Sequence, residues 1–333
     1  MQATAQRLRP MNVGDILDTT FRVYRSNFLL FIGITALLNI PMILLNTSIN
    51  FAFDGVLVDY MDFLNSMMFG GVATDALNEF LSGDVVPFVV ILLLVTILQT
   101  IVLQPVMIGA LTQAVGRRYQ QDEPTSVLGA YDLGLGRMAA LVGATLVLAL
   151  IFLVVFGLLS GCLIGIIVAM SAGAGQNESG SIFLAVFMFF GILGMFFLTL
   201  LITAFFIVRL MFFPQMIVLE KHGPLDGLSR SWQLVRGSFW RVLGTVLLIS
   251  LLVQILVIIP GLISGGVIGF VFSDPQDFAI QQSLSTLVGY ITQILFLPIS
   301  IIAYTLLYYD LRVRKEGYDL QLLAQDYAPG SAQ

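Results

Sequence analysis

RLMFFPQMIVLEKHGPLDGLSRSWQLVRGSFWR, residues 209–241, carries five of the fifteen Lys and Arg residues, and VLGTVLLISLLVQILVIIPGLISGGVIGFVFS, residues 242–273, carries no charge. This contrast recurs along the chain. Uncharged stretches cover 26–53, 85–116, 138–177, 179–208, 242–273 and 278–309. The shortest has 28 residues, and about 20 suffice to cross the hydrocarbon layer as a helix. Residues 138–177 count as one span, because the Gly-rich Ser171–Asn177 reads as a loop and a seventh span breaks the charge alternation.

The basic residues fall in alternate polar segments: Arg7, Arg9, Arg22 and Arg25; Arg117, Arg118 and Arg137; Arg209, Lys221, Arg230, Arg236 and Arg241; Arg312, Arg314 and Lys315. The segments between them hold only acids: Asp54, Asp59, Asp62, Asp75, Glu79 and Asp84, then Glu178, then Asp274 and Asp277. Lys and Arg stay on the cytoplasmic side of a bilayer, so the expectation is an all-α polytopic membrane protein with six transmembrane helices and both termini inside. Charged residues make up 11% of the chain and mean hydropathy is +0.97, far from the roughly 25% charge of a soluble domain. No cleavable leader is expected, since the first apolar run begins only at Asn27 and is longer than a signal-peptide core.

Sliding the chain by 211 positions places Asp15, Leu17, Arg25, Phe28 and Gly33 on Asp226, Leu228, Arg236, Phe239 and Gly244. A shift of 110 places Leu17 on Val127, Phe21 on Tyr131 and Gly33 on Gly143. Three pseudo-repeats follow, about 10–116, 122–215 and 223–311, each an amphipathic interfacial helix plus two spans, with 312–333 as a short tail. In the first amphipathic helix Val13, Leu17, Phe21, Tyr24 and Phe28 form the apolar face, behind an Asn12 cap with Asp15 three residues on. In the third, Pro224 opens the helix and Leu225, Leu228, Trp232, Val235 and Phe239 line one side. Such helices lie at headgroup depth. They brace the spans, or grip lipid phosphate through Arg22, Arg25, Arg236 and Arg241.

Gly157, Gly161 and Gly165, and Gly261, Gly265 and Gly269, repeat every four residues and read as helix-packing seams. No Asp, Glu, Lys, Arg or His falls inside a span. Proton relays, ion-coupled pumps and intramembrane hydrolases depend on such groups, so these classes are disfavoured. Gln99, Gln104, Gln254 and Gln293 remain as candidates to line a cavity. The lone Cys162 supports neither a disulfide nor a thiolate metal site, and His222 lacks a second ligand nearby, so no catalytic residue, metal site or cofactor is expected. Residues 54–84 interleave acids with Phe, Leu and Met and read as one or two amphipathic helices on the outer surface.

Arg9–Asp18 (RPMNVGDILD), running on to Phe21–Phe28 (FRVYRSNF), resembles the start of bacterial proteins grouped as the glycerophosphoryl diester phosphodiesterase membrane domain. Arg209–Gly244, with Pro214, Glu220, Gly223-Pro224 and the run Ser231–Arg241, is similar to the same family. The family takes its name from fusions to a soluble phosphodiesterase, whose metal and acid–base residues have no counterpart in the 23 residues after Asp310. The resemblance implies a stand-alone protein of the bacterial cytoplasmic (inner) membrane tied to lipid or envelope metabolism. The favoured function is a non-enzymatic scaffold, anchor or lipid-interacting module. A facilitative transporter with a cavity between the repeats is the alternative, and an enzyme accessory subunit ranks third. Membrane lipids, a protein partner or a second copy are the expected partners, and nucleic acid is not.

Overall fold

The computed structural model describes residues 10–53, 56, 85–121, 125–173, 178–272, 278–318 and 320–321. Among them no strand occurs. The helices are α1 (Val13–Ser26), α2 (Phe28–Ala52), α3 (Val85–Ile97), α4 (Gln104–Gly116), α5 (Val127–Leu135), α6 (Met138–Gly173), α7 (Glu178–Leu210), α8 (Phe213–Val218), α9 (Pro224–Val235), α10 (Phe239–Val271) and α11 (Phe278–Glu316). A π-helical turn at Leu98–Leu103 joins α3 to α4, and a second, Arg117–Gln121, ends α4. Six segments are long and apolar enough to cross a membrane: α2, α3 with α4, α6, α7 with α8, α10 and α11. Short helices precede the first, third and fifth of them. The single span expected from residue 138 onward is one continuous helix to Gly173, about 54 Å at 1.5 Å per residue, so it outreaches the roughly 30 Å hydrocarbon layer. The expected outer-surface helices of 54–84 lie, apart from Val56, outside the described residues.

The buried core gathers at the end that carries the basic residues. Its centre is α4, in which Pro105, Val106, Met107 and every residue from Gly109 to Gly116 except Gln113 are buried. Small residues make this possible: a Cβ on Gly109 would stand 2.5 Å from Leu141 Cδ1, and one on Gly116 would stand 2.6 Å from Leu219 Cδ2. Lipid tails are as apolar as leucine, so helices associate in the bilayer through close backbone approach and polar contacts. Toward the other end the spans are largely exposed, with Leu153 69%, Leu158 70%, Phe189 63% and Leu262 71% accessible, as befits lipid-facing surface.

Close approach is found at other glycines than those expected. Among the described residues, a Cβ built on Gly157, Gly161, Gly165, Gly261 or Gly265 meets no atom within 4 Å, so none of those residues packs on them as the expected seams would require. Gly269 meets only Gln281 Nε2, at 3.5 Å. Among the described residues the close-packed glycines are instead Gly33, Gly109, Gly116 and Gly227. The expected apolar faces of the amphipathic helices take part in the core, Tyr24, Leu228 and Val235 as buried residues and Leu17, Phe21, Trp232 and Phe239 packed against it, but polar and small residues share the buried side. α1 buries Ile16, Thr19, Thr20 and Tyr24 and leaves Leu17 and Phe21 half-buried. α9 buries Gly227, Leu228, Ser231, Leu234 and Val235 and leaves Leu225 65% exposed. Thr19, Thr20, Gly227 and Ser231 are thus buried beside Ile16, Leu228, Leu234 and Val235, while Leu17, Phe21 and Trp232 pack partly buried at the edge of the core and Leu225 stays exposed. The α1 cap forms as expected: Asp15 N donates to Asn12 Oδ1 at 2.8 Å, and Asn12 N donates to Asp15 Oδ2 at 3.0 Å.

The short helices dock on neighbouring spans. Gly33 in α2 lies against Val127 at the start of α5, and Gly143 in α6 lies against Pro224 at the start of α9. Arg241 in α10 donates to the carbonyl of Met11, just before α1, at 2.9 Å. The proline in α11 and the break after α7 are served by side chains. Pro298 has no N–H for the Ile294 carbonyl, and Thr35 Oγ1 donates to that oxygen at 3.0 Å. Tyr24 supplies its hydroxyl to the Leu295 carbonyl at 2.7 Å. At the break between α7 and α8, Ser231 Oγ donates to the Arg209 carbonyl at 3.0 Å and accepts from Phe212 N at 3.2 Å.

Candidate functional site

The basic end holds two ionic centres that the uncharged spans do not foretell. The first is Asp310, fully buried in α11. Its Oδ1 accepts from Met11 N at 2.7 Å and from Arg314 Nε at 2.9 Å, and its Oδ2 accepts from Arg241 Nη2 at 2.9 Å. Both arginines also donate to the Met11 carbonyl, Arg241 at 2.9 Å and Arg314 at 3.0 Å. A buried carboxylate is tolerable only when paired and hydrogen-bonded, and this one has three donors. The signal in the sequence was an acid directly after an uncharged run with Arg314 one helical turn on.

The second centre is Glu220, in the turn between α8 and α9. Tyr308 donates its hydroxyl to Glu220 Oε1 at 2.7 Å, Arg230 Nε donates to Oε2 at 3.3 Å, and His222 Nε2 lies 3.2 Å from the same oxygen. Arg312 Nε stands 3.5 Å from Oε1 and donates to Glu316 Oε2 at 3.1 Å. Burial pushes the Glu220 carboxyl up, but the Tyr308 hydroxyl and the Arg312 and Arg230 charges outweigh it and leave the group below the usual carboxylate range. The Arg312 guanidinium lies 3.8 Å from the centre of the Tyr318 ring. Two acids, Glu220 and Glu316, are thereby matched by two arginines, Arg230 and Arg312.

Beside this centre opens a cavity of about 320 Å³, walled by α4, the start of α6, the turn after α8 and the end of α11. Arg117, Arg137, Lys221 and Arg312 reach it, together with Gln113 and the tyrosines 308, 309 and 318. Arg137 Nη1 donates to the Lys221 carbonyl at 3.3 Å. Lys221 has φ 62°, in the left-handed region that a residue with a Cβ seldom adopts.

The residues singled out from the sequence disperse. Arg22 and Arg25 lie together along an exposed groove of about 560 Å³ with Asp18, Phe21 and Ser26. Arg236 is exposed at the end of α9. Arg241 is no free headgroup ligand, because it is bound to Asp310 and to Met11. Gln99, Gln104 and Gln293 do converge, with Asn39 and Met107, but on a void of about 10 Å³, room for about one water. Gln254 is exposed on α10, away from them. Gln99 accepts from the Tyr290 hydroxyl at 3.2 Å and belongs to the π-helical turn.

No curated protein and no solved structure matches the chain. The family described as a domain of unknown function, DUF7847, matches residues 11–307. That span takes in the Met11 end of the Asp310 clamp, the turn around Glu220 and all but the last residues of α11. The chain is therefore a member of the DUF7847 family, with the make-up of a multi-pass membrane protein.

Proposed function

We propose that this protein is a non-enzymatic module of the bacterial cytoplasmic membrane that holds anionic lipid headgroups at its basic, inward face and scaffolds partners there. One observation carries the reading. Arg22, Arg25 and Arg236 are exposed and have no carboxylate within 4.0 Å among the described residues, while the large apolar side chains Leu29 and Trp240, 81% and 80% exposed, share their end of the molecule. Exposed aromatic and aliphatic groups beside unpaired arginines match headgroup depth, and each basic residue near an anionic surface contributes about 1 kcal/mol. The resemblance to the glycerophosphoryl diester phosphodiesterase membrane domain agrees with a role beside lipid metabolism.

In this reading the chain comprises three two-span units with both termini in the cytoplasm. The docking of α5 on Gly33, of α9 on Gly143 and of Met11 on Arg241 supports such a cyclic arrangement, each short helix meeting the first span of a neighbouring unit. A facilitative transporter calls for a chamber between the units. Three of the four glutamines expected to line it, Gln99, Gln104 and Gln293, enclose about 10 Å³, which favours the solid module.

The test is native mass spectrometry after gentle extraction. The parent should retain phosphatidylglycerol in preference to phosphatidylcholine, and Arg25→Gln with Arg236→Gln should reduce that retention. Equal retention by parent and variant rejects the headgroup role. Alkaline phosphatase fused after Asn50, Asn177 and Ser273 should be active, and green fluorescent protein after Gln333 should fluoresce; silent phosphatase or a dark tail rejects the orientation.

A further inference from the structure

The cavity beside Glu220 is a separate place from the exposed arginines. Of the four cations at its wall, Arg312 is already matched by Glu220 and Glu316 and stacked on Tyr318. Arg117, Arg137 and Lys221 have no carboxylate within 4.0 Å among the described residues. They come from three different elements: the π-helical turn ending α4, the residue before α6, and the turn after α8. The fold brings like charges together, and the Arg137 guanidinium is bonded to the backbone of Lys221 itself. Like charges converging on one space repel unless an anion sits between them.

The backbone is specialised at the same place. Lys221 is the one residue other than glycine with positive φ among the described residues. Left-handed conformations of this kind collect at ligand clamps, and π-helical turns such as the one bearing Arg117 collect at functional sites. The volume, about 320 Å³, falls at the small end of the range of about 300–1,000 Å³ for ligand pockets. Guanidinium forks match the oxygens of a phosphate group, and a lysine adds a mobile point charge.

We propose that this cavity is an anion site for a phosphate ester, bound through Arg117, Arg137 and Lys221, with Arg312 and Tyr318 as a fixed wall. The same chemistry could be presented by a lipid headgroup or by a soluble phosphate compound. The Glu220 centre holds the wall in place by keeping Arg312 and Tyr308 occupied, so the three unmatched cations face the ligand.

The experiment uses the full chain in neutral detergent. Binding of inorganic phosphate is followed by melting temperature against chloride at equal ionic strength, and lipid retention is followed in nanodiscs of phosphatidylglycerol or phosphatidylcholine. Phosphate should raise the melting temperature of the parent. Arg117→Gln and Lys221→Gln should each weaken phosphate about ten- to a hundredfold, as expected for loss of a charged hydrogen bond, and Arg117→Lys should weaken it less. A phosphate response without Arg117-dependent lipid retention supports a soluble ester. Arg117-dependent phosphatidylglycerol retention supports a headgroup. The Arg25→Gln, Arg236→Gln variant should leave the phosphate response unchanged, which separates this site from the exposed arginines. A parent that shows neither a phosphate-specific response nor Arg117-dependent lipid retention overturns the site, as does a response that Arg117→Gln and Lys221→Gln leave intact.

Discussion

The Thr35 hydroxyl lies 3.0 Å from the Ile294 carbonyl oxygen, the acceptor that Pro298 strips of its helical donor. It is the shortest of three contacts made by this hydroxyl, the others being to Phe31 and Ile32 in its own helix. α2 thus completes the hydrogen bonding of α11, and an unmet carbonyl at this depth has no water to turn to.

Thr35→Val should therefore destabilise the protein by about 1–3 kcal/mol, the cost of a buried polar group left unsatisfied. Pro298→Ala returns an N–H to the Ile294 carbonyl, so the loss should shrink in that background. A double-mutant cycle of unfolding in detergent reads the coupling. Additive effects would show that the two residues act independently.

Asp310→Asn leaves Arg241 and Arg314 without their carboxylate partner. Breaking a buried pair from one side costs about 3–5 kcal/mol, and a comparable melting-temperature drop should follow from Arg241→Gln. Lipid loss in an Arg241 variant therefore reports on the fold, whereas Arg25 and Arg236 report on headgroups.

Two glycine substitutions should separate sharply. Gly109→Val drives a side chain into Leu141, itself fully buried, and should cost about 1–3 kcal/mol by overpacking. Gly161→Leu enters open space and should stay within about 0.5 kcal/mol of the parent. Equal melting temperatures for Gly109→Val and the parent would contradict the packing around α4.

Glu220 gives a pH signature. Its carboxyl lies below the ordinary range in the folded state, so its stabilising contribution is complete above the unfolded value, about 4.3, and fades as the pH falls through the lower folded value. Glu220→Gln should be less stable than the parent at neutral pH, and the gap should narrow in acid. A difference constant from pH 7 to pH 3 would count against the pairing.

Hydropathy and charge made the six spans legible, because crossing hydrocarbon demands long uncharged runs whatever the packing. The α1 cap was legible too, since Asn12 and Asp15 act within one turn. Which face of a helix meets protein was legible only in part. Leu225 gains little by leaving lipid and stays exposed, while Thr20, Gly227 and Ser231, which no hydrophobic pattern marks, are buried beside Ile16, Leu228 and Leu234. The glycine stripes misled for a related reason: spacing tells that three glycines share a side, and only the fold tells what lies opposite. Asp310 and the cavity cations were visible as residues, but their meeting joins positions 299 apart or drawn from three elements.

The Met11–Asp310 bond also sets a schedule for biosynthesis. Its partners are separated by 299 residues, and at about 5–20 residues per second a ribosome needs roughly 15–60 s to make that length. During that interval the Met11 carbonyl can meet Arg241, made 69 residues before Asp310, while the Met11 N–H still waits for its carboxylate. Only when Asp310 has left the exit tunnel can the clamp close, so its formation waits on the emergence of the sixth span.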